Sequence, residues 1–236
     1  MTFTDSRTLV IGGSSGIGLA TAVAAARAGA IVTIASRHAA KLDSALRELG
    51  PSGSAIQLDI RDAAAVENYF GDCGEWDHVV VSASETKSGS IHGLGLEDAR
   101  AAMDSKFWGA YHVARACRIR PGGSLTLVSG VFSQRPNKEA VLQGAINAAL
   151  EGLARGLALS LAPVRVNVVS PSVTRTPLWN KLDETHRETK YTEASMRFPA
   201  GRVGQPEDIA AAILYVAANP YSTGATILVD GGDALV

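Results

Sequence analysis

The sequence predicts a single-domain α/β fold with a doubly wound parallel sheet. Three observations carry the prediction. Short apolar runs alternate with helix-length segments almost to the end of the chain. The first such pair is joined by a glycine cluster at Gly12, Gly13, Gly16 and Gly18. The 236 residues, 46% hydrophobic and 19% charged, suffice for one well-buried core and do not describe a disordered chain.

The first strand is Leu9-Val10-Ile11, which runs through the glycines into an alanine-rich helix ending near Ala28. A second strand at 31–35 is followed by a helix over 39–49, which Gly50-Pro51 closes. A third strand at 55–60 precedes a helix at 63–70. The fourth, 76–83, reads as buried through Val79-Val80-Val81 and leads into a long helix over 97–118. The fifth strand spans 124–128, a helix spans 139–162, and the sixth strand spans 164–169. Residues 174–202 read as the least regular stretch; a last helix at 206–218 and a seventh strand at 226–229 follow. Strands separated by helices imply right-handed crossovers and helices on both faces. No repeat, low-complexity tract or linker divides residues 1–236.

Charge and composition exclude several function classes. With 22 basic and 23 acidic residues the net charge is −1, which gives no electrostatic case for nucleic acid or an anionic membrane. The apolar helix at 139–162 is interrupted by Gln143, Asn147, Glu151 and Arg155, so no membrane span is expected. Cys73 and Cys117 have neither metal-ligand spacing nor a disulfide framework, and no metal is expected. The first strand starts too soon after Met1 to leave room for a signal peptide, so a cytoplasmic location is expected.

The glycine turn is the strongest functional signal. A phosphate approaches backbone closely only where no Cβ intervenes, and the helix that follows offers unpaired N–H groups and a positive dipole end. Gly12, Ser14, Ser15, Gly16, Ile17 and Gly18 are therefore candidate contacts for a dinucleotide pyrophosphate, although Gly12-x3-Gly16-x-Gly18 differs from G-x-G-x-x-G. Ligands collect at the carboxyl ends of such strands. After the second strand stand Ser36 and Arg37; an arginine there pairs with a 2′-phosphate, where an acid would bond ribose hydroxyls, so NADP(H) is the expected cofactor. Asp59 either accepts from an adenine amino group or caps a helix. Ile60, Ser82, Ala83, Pro171 and Thr174 complete the candidate cofactor contacts.

Gly12-Gly13-Ser14-Ser15-Gly16-Ile17-Gly18 resembles the TGxxxGIG turn of the short-chain dehydrogenase/reductase family, with Ile11 in place of the threonine. The segment from Val164 to Pro171 resembles that family's sixth strand and exit, and Thr176 beyond it falls where the resemblance implies a cofactor-contacting threonine. The stretch from Gly201 to Ala210 resembles its late-helix signature, and Val229-Asp-Gly-Gly232 its last strand. The resemblance covers nearly the whole chain. It implies a Rossmann-type sheet of seven strands, a small-molecule substrate, and homo-oligomers (dimer or tetramer) built through the long helices after strands four and five.

The same resemblance implies a catalytic Asn, Ser, Tyr and Lys, and none of the four positions keeps its residue. The tyrosine and lysine of the YSASKAAL pattern fall on Gln143 and Asn147, the serine on Gly130 beside Ser129, and the asparagine on Lys106. Gln143 and Asn147, four apart, should share a helix face, but an amide does not titrate near neutral pH. Lys106 is either a replacement cation near the nicotinamide ribose or a substrate oxygen, or, the more ordinary reading, a solvent-facing helix lysine. Ser129 either bonds a substrate oxygen or simply ends a strand. Glu85 and Lys87 read as solvated. A variable lid over 176–198 is expected to cover the substrate, with Leu178, Trp179, Tyr191 and Met196 either lining it or only packing it onto the domain.

The expected function is an NADP(H)-binding oxidoreductase with an atypical active site, reducing a small carbonyl-type substrate. The alternatives are an inactive NADP(H)-binding protein, acting as redox sensor or partner subunit, and a non-redox lyase or isomerase.

Overall fold

A computed structural model describes residues 3–51 and 53–236 of the chain. Seven strands lie in one parallel sheet: β1 (Arg7–Ile11), β2 (Ile31–Ser36), β3 (Ser54–Gln57), β4 (Trp76–Val81), β5 (Ile119–Val128), β6 (Arg165–Pro171) and β7 (Thr226–Val229). Their spatial order is β3-β2-β1-β4-β5-β6-β7, so the direction of winding reverses between β1 and β4. That reversal opens a crevice at the strand exits, where the glycine turn sits.

Side-chain alternation divides the core in two. Leu9, Ile11, Val79, Val81, Leu125, Leu127, Val166 and Val168 face α3 (Ala63–Asp72), α5 (Gly109–Ala116) and α6 (Val141–Ser160). Val10, Val32, Ile34, Val80 and Val169 face α1 (Gly16–Arg27), α2 (Ala39–Leu49) and α8 (Pro206–Ala218). Both faces of β1 and β4 are thus apolar, as a doubly covered parallel sheet requires. Helix starts follow local chemistry. The Asp62 carboxylate accepts from the Ala65 N–H at the start of α3, and Asp208 accepts from the Gln205 N–H in the capping box of α8.

Three expectations need correction. The long helix expected over 97–118 is α4 (Leu96–Met103), a π-helical turn at Asp104–Trp108, and α5. The fifth strand begins earlier than 124, because Ile119 pairs with Trp76 ahead of an irregularity at Arg120-Pro-Gly-Gly123. The stretch 174–202 is far from irregular: a short 3-10 turn at Pro177–Lys181 leads into α7 (Glu184–Arg197), capped by the Asp183 carboxylate on the His186 N–H. Only Tyr191 and Ala194 of α7 are buried, which left too faint an apolar stripe to read as a helix. Among the described residues no helix is long and apolar enough to cross a membrane.

Candidate active site

The glycine turn is wedged against the end of β4. A Cβ at Gly18 would stand 2.2 Å from the Gly12 carbonyl oxygen and 2.6 Å from Ser82 Oγ; one at Gly12 would stand 2.6 Å from the Ala83 nitrogen. Gly12 and Gly16 also hold φ of +85° and +54°, which glycine adopts without strain. Ser82 donates to the Ile11 carbonyl from its N–H, and Ser14 Oγ donates to Ser36 Oγ at 2.9 Å, tying the turn to both neighbouring strands. Ser15 is the N-cap of α1, Ile17 packs toward the core, and the Cβ of Thr176, past the Pro171 exit of β6, lies 3.2 Å from where a Gly16 Cβ would be. The first turn of α1, whose N–H groups have no helical partner, thus begins at this glycine turn with the Thr176 and Pro177 side chains beside Gly16.

Beyond the turn lies a charged corner. Arg37, just past β2, pairs with Glu85 of the loop after β4 at 2.8 Å. The Arg37 guanidinium beside Glu85 holds that carboxyl below its ordinary range, with Arg61 and His38 adding to the effect. Glu85 is thus solvated, with two-thirds of its side chain exposed, and paired at the same time. Asp59 is gripped by Arg61 through its side chain at 2.6 Å and its backbone N–H at 3.0 Å, which lowers the Asp59 pKa. It does not cap α3; Asp62 does. Ile60 turns inward against Gly109, and its carbonyl bonds His112 Nδ1 at 2.9 Å. Thr174 is buried with its hydroxyl donated to the Ser172 carbonyl, so it shapes the loop and offers no free hydroxyl to a ligand.

A buried polar network lies on the other side of the crevice. The π-helical turn carries Lys106 inward, and its Nζ donates to the Ser129 carbonyl and to Asn147 Oδ1, both at 2.7 Å. The ordinary reading of Lys106 as a solvent-facing lysine therefore does not hold. Burial pushes its pKa down from 10.5 to about 8, an effect that the Glu151 carboxylate opposes. Ser129 Oγ donates to Glu151 Oε1 at 3.1 Å, as does Ser133 Oγ at 2.6 Å. The Ser129 hydroxyl is thus turned to Glu151 and away from a substrate; its carbonyl is what meets Lys106. Gly130 has a packing reason: a Cβ there would stand 2.9 Å from Asn147 Nδ2.

Gln143, Asn147 and Glu151 stand at i, i+4 and i+8 on α6, and all three are buried. Glu151 was missed as a site residue, although that spacing on one helix face could have found it. Gln143 Nε2 donates to the Lys87 carbonyl, and Gln143 Oε1 is buried with no partner. No tyrosine is a hydrogen-bond partner of Lys106, Ser129, Gln143 or Asn147 among the described residues. Of the expected lid residues, Tyr191 is buried against Ala194, Phe198 and Val203, and Trp179 Nε1 donates to the Thr174 carbonyl. These two pack the segment onto the domain. Leu178 and Met196 are exposed to solvent, at 54% and 78%.

A doubly wound sheet with a glycine turn at its switch point, and a polar network from two helices beside it, is the architecture of a nucleotide-binding α/β protein. A family profile described as Enoyl-(Acyl carrier protein) reductase matches residues 12–233. The short-chain dehydrogenase/reductase fsr5 of Gibberella fujikuroi is 31% identical over 251 residues, covering 98% of this chain and 95% of the relative. D-erythrulose reductase of Gallus gallus is 31% identical over 241 residues, covering 98% and 97%. A solved small-chain dehydrogenase in complex with NADPH is 35% identical with a TM-score of 0.85, covering 98% of this chain and 100% of its own. The MalC Reductase/Diels-Alderase of Malbranchea aurantiaca, 28% identical, superposes with a TM-score of 0.90, covering 99% and 98%. The chain belongs to the short-chain dehydrogenase/reductase family of nicotinamide-dependent oxidoreductases.

Proposed function

We propose that the protein is an NADP(H)-dependent oxidoreductase that reduces a small carbonyl-type substrate through a rearranged site, in which the ammonium of Lys106 stands in for the cation lost at Asn147. One observation carries the reading: Lys106 Nζ lies 2.7 Å from both Asn147 Oδ1 and the Ser129 carbonyl. Two of its three N–H groups are thereby used, and the third is left for a ligand oxygen. With a pKa of about 8, Lys106 is protonated at pH 7 and can still release a proton from Nζ, which neither Gln143 nor Asn147 can do.

The glycine turn fits a dinucleotide in its chemistry: it leads straight into α1, whose first-turn N–H groups have no helical partner, and Gly12, Gly16 and Gly18 put no side chain between them and a phosphate. Gly12, Ser14, Ser15, Gly16, Ile17 and Gly18 would cradle the diphosphate, Ser36 and Arg37 the 2′-phosphate, and Asp59 and Ile60 the adenine end. Ser82, Ala83, Pro171 and Thr176 would border the nicotinamide half, with Thr174 bracing that loop. A reduced nicotinamide bound there supplies a hydride; this chain's own part is to orient the acceptor and to hold a proton at Lys106 Nζ. The segment 176–198 would cover the substrate. Exposed Trp108 and Tyr111 after β4, and exposed Val141 and Leu159 at the ends of the helix region after β5, support a homo-oligomer assembled through the helices after β4 and β5.

Fluorescence titration tests the cofactor: NADPH should bind wild type more tightly than NADH, and Arg37→Asp should remove the difference. Equal affinities in wild type would refute it. Lys106→Ala should lower turnover against aldehydes, ketones and imines by about 10²–10⁴. Unchanged turnover and NADPH affinity would remove Lys106 from the site. A second reading, NADP(H) binding without turnover, draws on the burial of Gln143 beneath the Lys87 carbonyl; complete absence of NADPH oxidation across that panel would favour it.

A further inference from the structure

The Arg37–Glu85 pair spans the mouth of the glycine turn. Arg37 follows β2 and Glu85 follows β4, the two strands that flank β1, and the pair closes at 2.8 Å. Arg37, His38 and Arg61 surround the Glu85 carboxylate, while Asp59 is already held by Arg61. The corner is therefore a basic nest with a carboxylate occupying the place of an anion. We infer that Glu85 is the specificity-determining residue of this corner: a 2′-phosphate displaces it from Arg37, and its departure loosens the strap of residues 84–88 from Gln143. The inference rests on the NADP(H) reading above.

Energetics favour such an exchange. Glu85 is two-thirds exposed, and an ion pair of that kind gives only a few-fold preference. A phosphate dianion offers Arg37 a doubly charged partner and parallel hydrogen bonds. The Glu85 backbone N–H stays anchored on Ser105 Oγ at 2.8 Å, so exchange is a movement of the side chain and of the chain just beyond it. Two residues on, no more than about 7 Å of backbone, the Lys87 carbonyl accepts from Gln143 Nε2. Lys87 is pinned further along by Asp98 at 2.7 Å. Beneath the strap Gln143 Oε1 is buried with no partner, so the covered arrangement leaves one acceptor unsatisfied. Lifting the strap frees that amide to meet a substrate donor, which couples occupation of the phosphate corner to opening of the substrate pocket.

The test uses the full chain with two probes, 2′,5′-ADP and 5′-AMP, in wild type and Glu85→Gln. Calorimetry should show Glu85→Gln binding 2′,5′-ADP about three- to fivefold more tightly, with 5′-AMP unchanged. The Gln143 side-chain amide resonances should shift with 2′,5′-ADP and not with 5′-AMP. Glu85→Gln binding 2′,5′-ADP no better than wild type, or equal effects of both probes on the Gln143 amide, would overturn the inference while NADPH binding still stood. A wild type that binds neither 2′,5′-ADP nor NADPH would overturn both.

Discussion

Replacing Lys106 with Met removes a half-buried lysine's inward-turned ammonium while roughly keeping its volume, and the pH dependence of stability then reports on that cation. Burial lowers the Lys106 pKa from 10.5 to about 8. Below pH 8 the lysine is protonated both folded and unfolded, and folding bears the full penalty of enclosing the charge. Between about pH 8 and 10.5 the unfolded chain still binds the proton and the folded one does not, so unfolding takes up a proton and stability rises with pH. The slope is about 1.4 kcal/mol per pH unit, or about 2 kcal/mol between pH 8 and 9.5. Lys106→Met lacks this term. It also leaves the Ser129 carbonyl and Asn147 Oδ1 without a donor, at about 1–3 kcal/mol each, but that offset does not vary with pH. Thermal melts of both proteins from pH 7 to 9.5 should show wild-type Tm gaining on the variant by about 4–8 °C above pH 8, at about 2–4 °C per kcal/mol for a chain of this size. Parallel curves would mean that Lys106 is a hydrated ammonium, and its proposed chemistry would fall with its burial.

Four other outcomes follow from named contacts. Glu151→Gln removes the charge that keeps Lys106 protonated, so the same wild-type-like rise in Tm should begin below pH 8; an unmoved onset would show the two groups uncoupled. Gly130→Ala forces a Cβ to 2.9 Å from Asn147 Nδ2 and should destabilise by about 1–3 kcal/mol in urea unfolding. Gly18→Ala brings a Cβ to 2.2 Å from the Gly12 oxygen, and should reach the upper end of that range while abolishing NADPH binding in a fluorescence titration. Asp233→Asn leaves Arg197, which donates to Asp233 at 2.9 Å, and Arg135 without their shared carboxylate. A loss of about 1 kcal/mol and faster proteolysis at the end of α7 are expected, because the arginines left behind are partly solvated.

The alternation of strands and helices was legible because both faces of the sheet are covered, which makes Val79-Val80-Val81 and its neighbours continuous apolar runs. The glycine turn was legible because its close contacts admit no other residue at Gly12 or Gly18. The winding of residues 104–108 was not, since a π turn has no distinct apolar period, and with it went the direction of Lys106. Nor was α7, whose sequence holds few apolar residues to mark a face. Ser129 misled for another reason: the main-chain carbonyl and the hydroxyl of one residue point to different partners, and residue identity speaks only for the hydroxyl.

The extra-wide turn at Asp104–Trp108 changes how this chain should be aligned with relatives. On the resemblance described above, the family's lysine column would fall on Asn147 and its asparagine column on Lys106. In three dimensions the Lys106 ammonium comes from the facing helix and touches the tip of the Asn147 amide. A search keyed to columns would discard such chains as dead, whereas one keyed to where charge ends up would keep them.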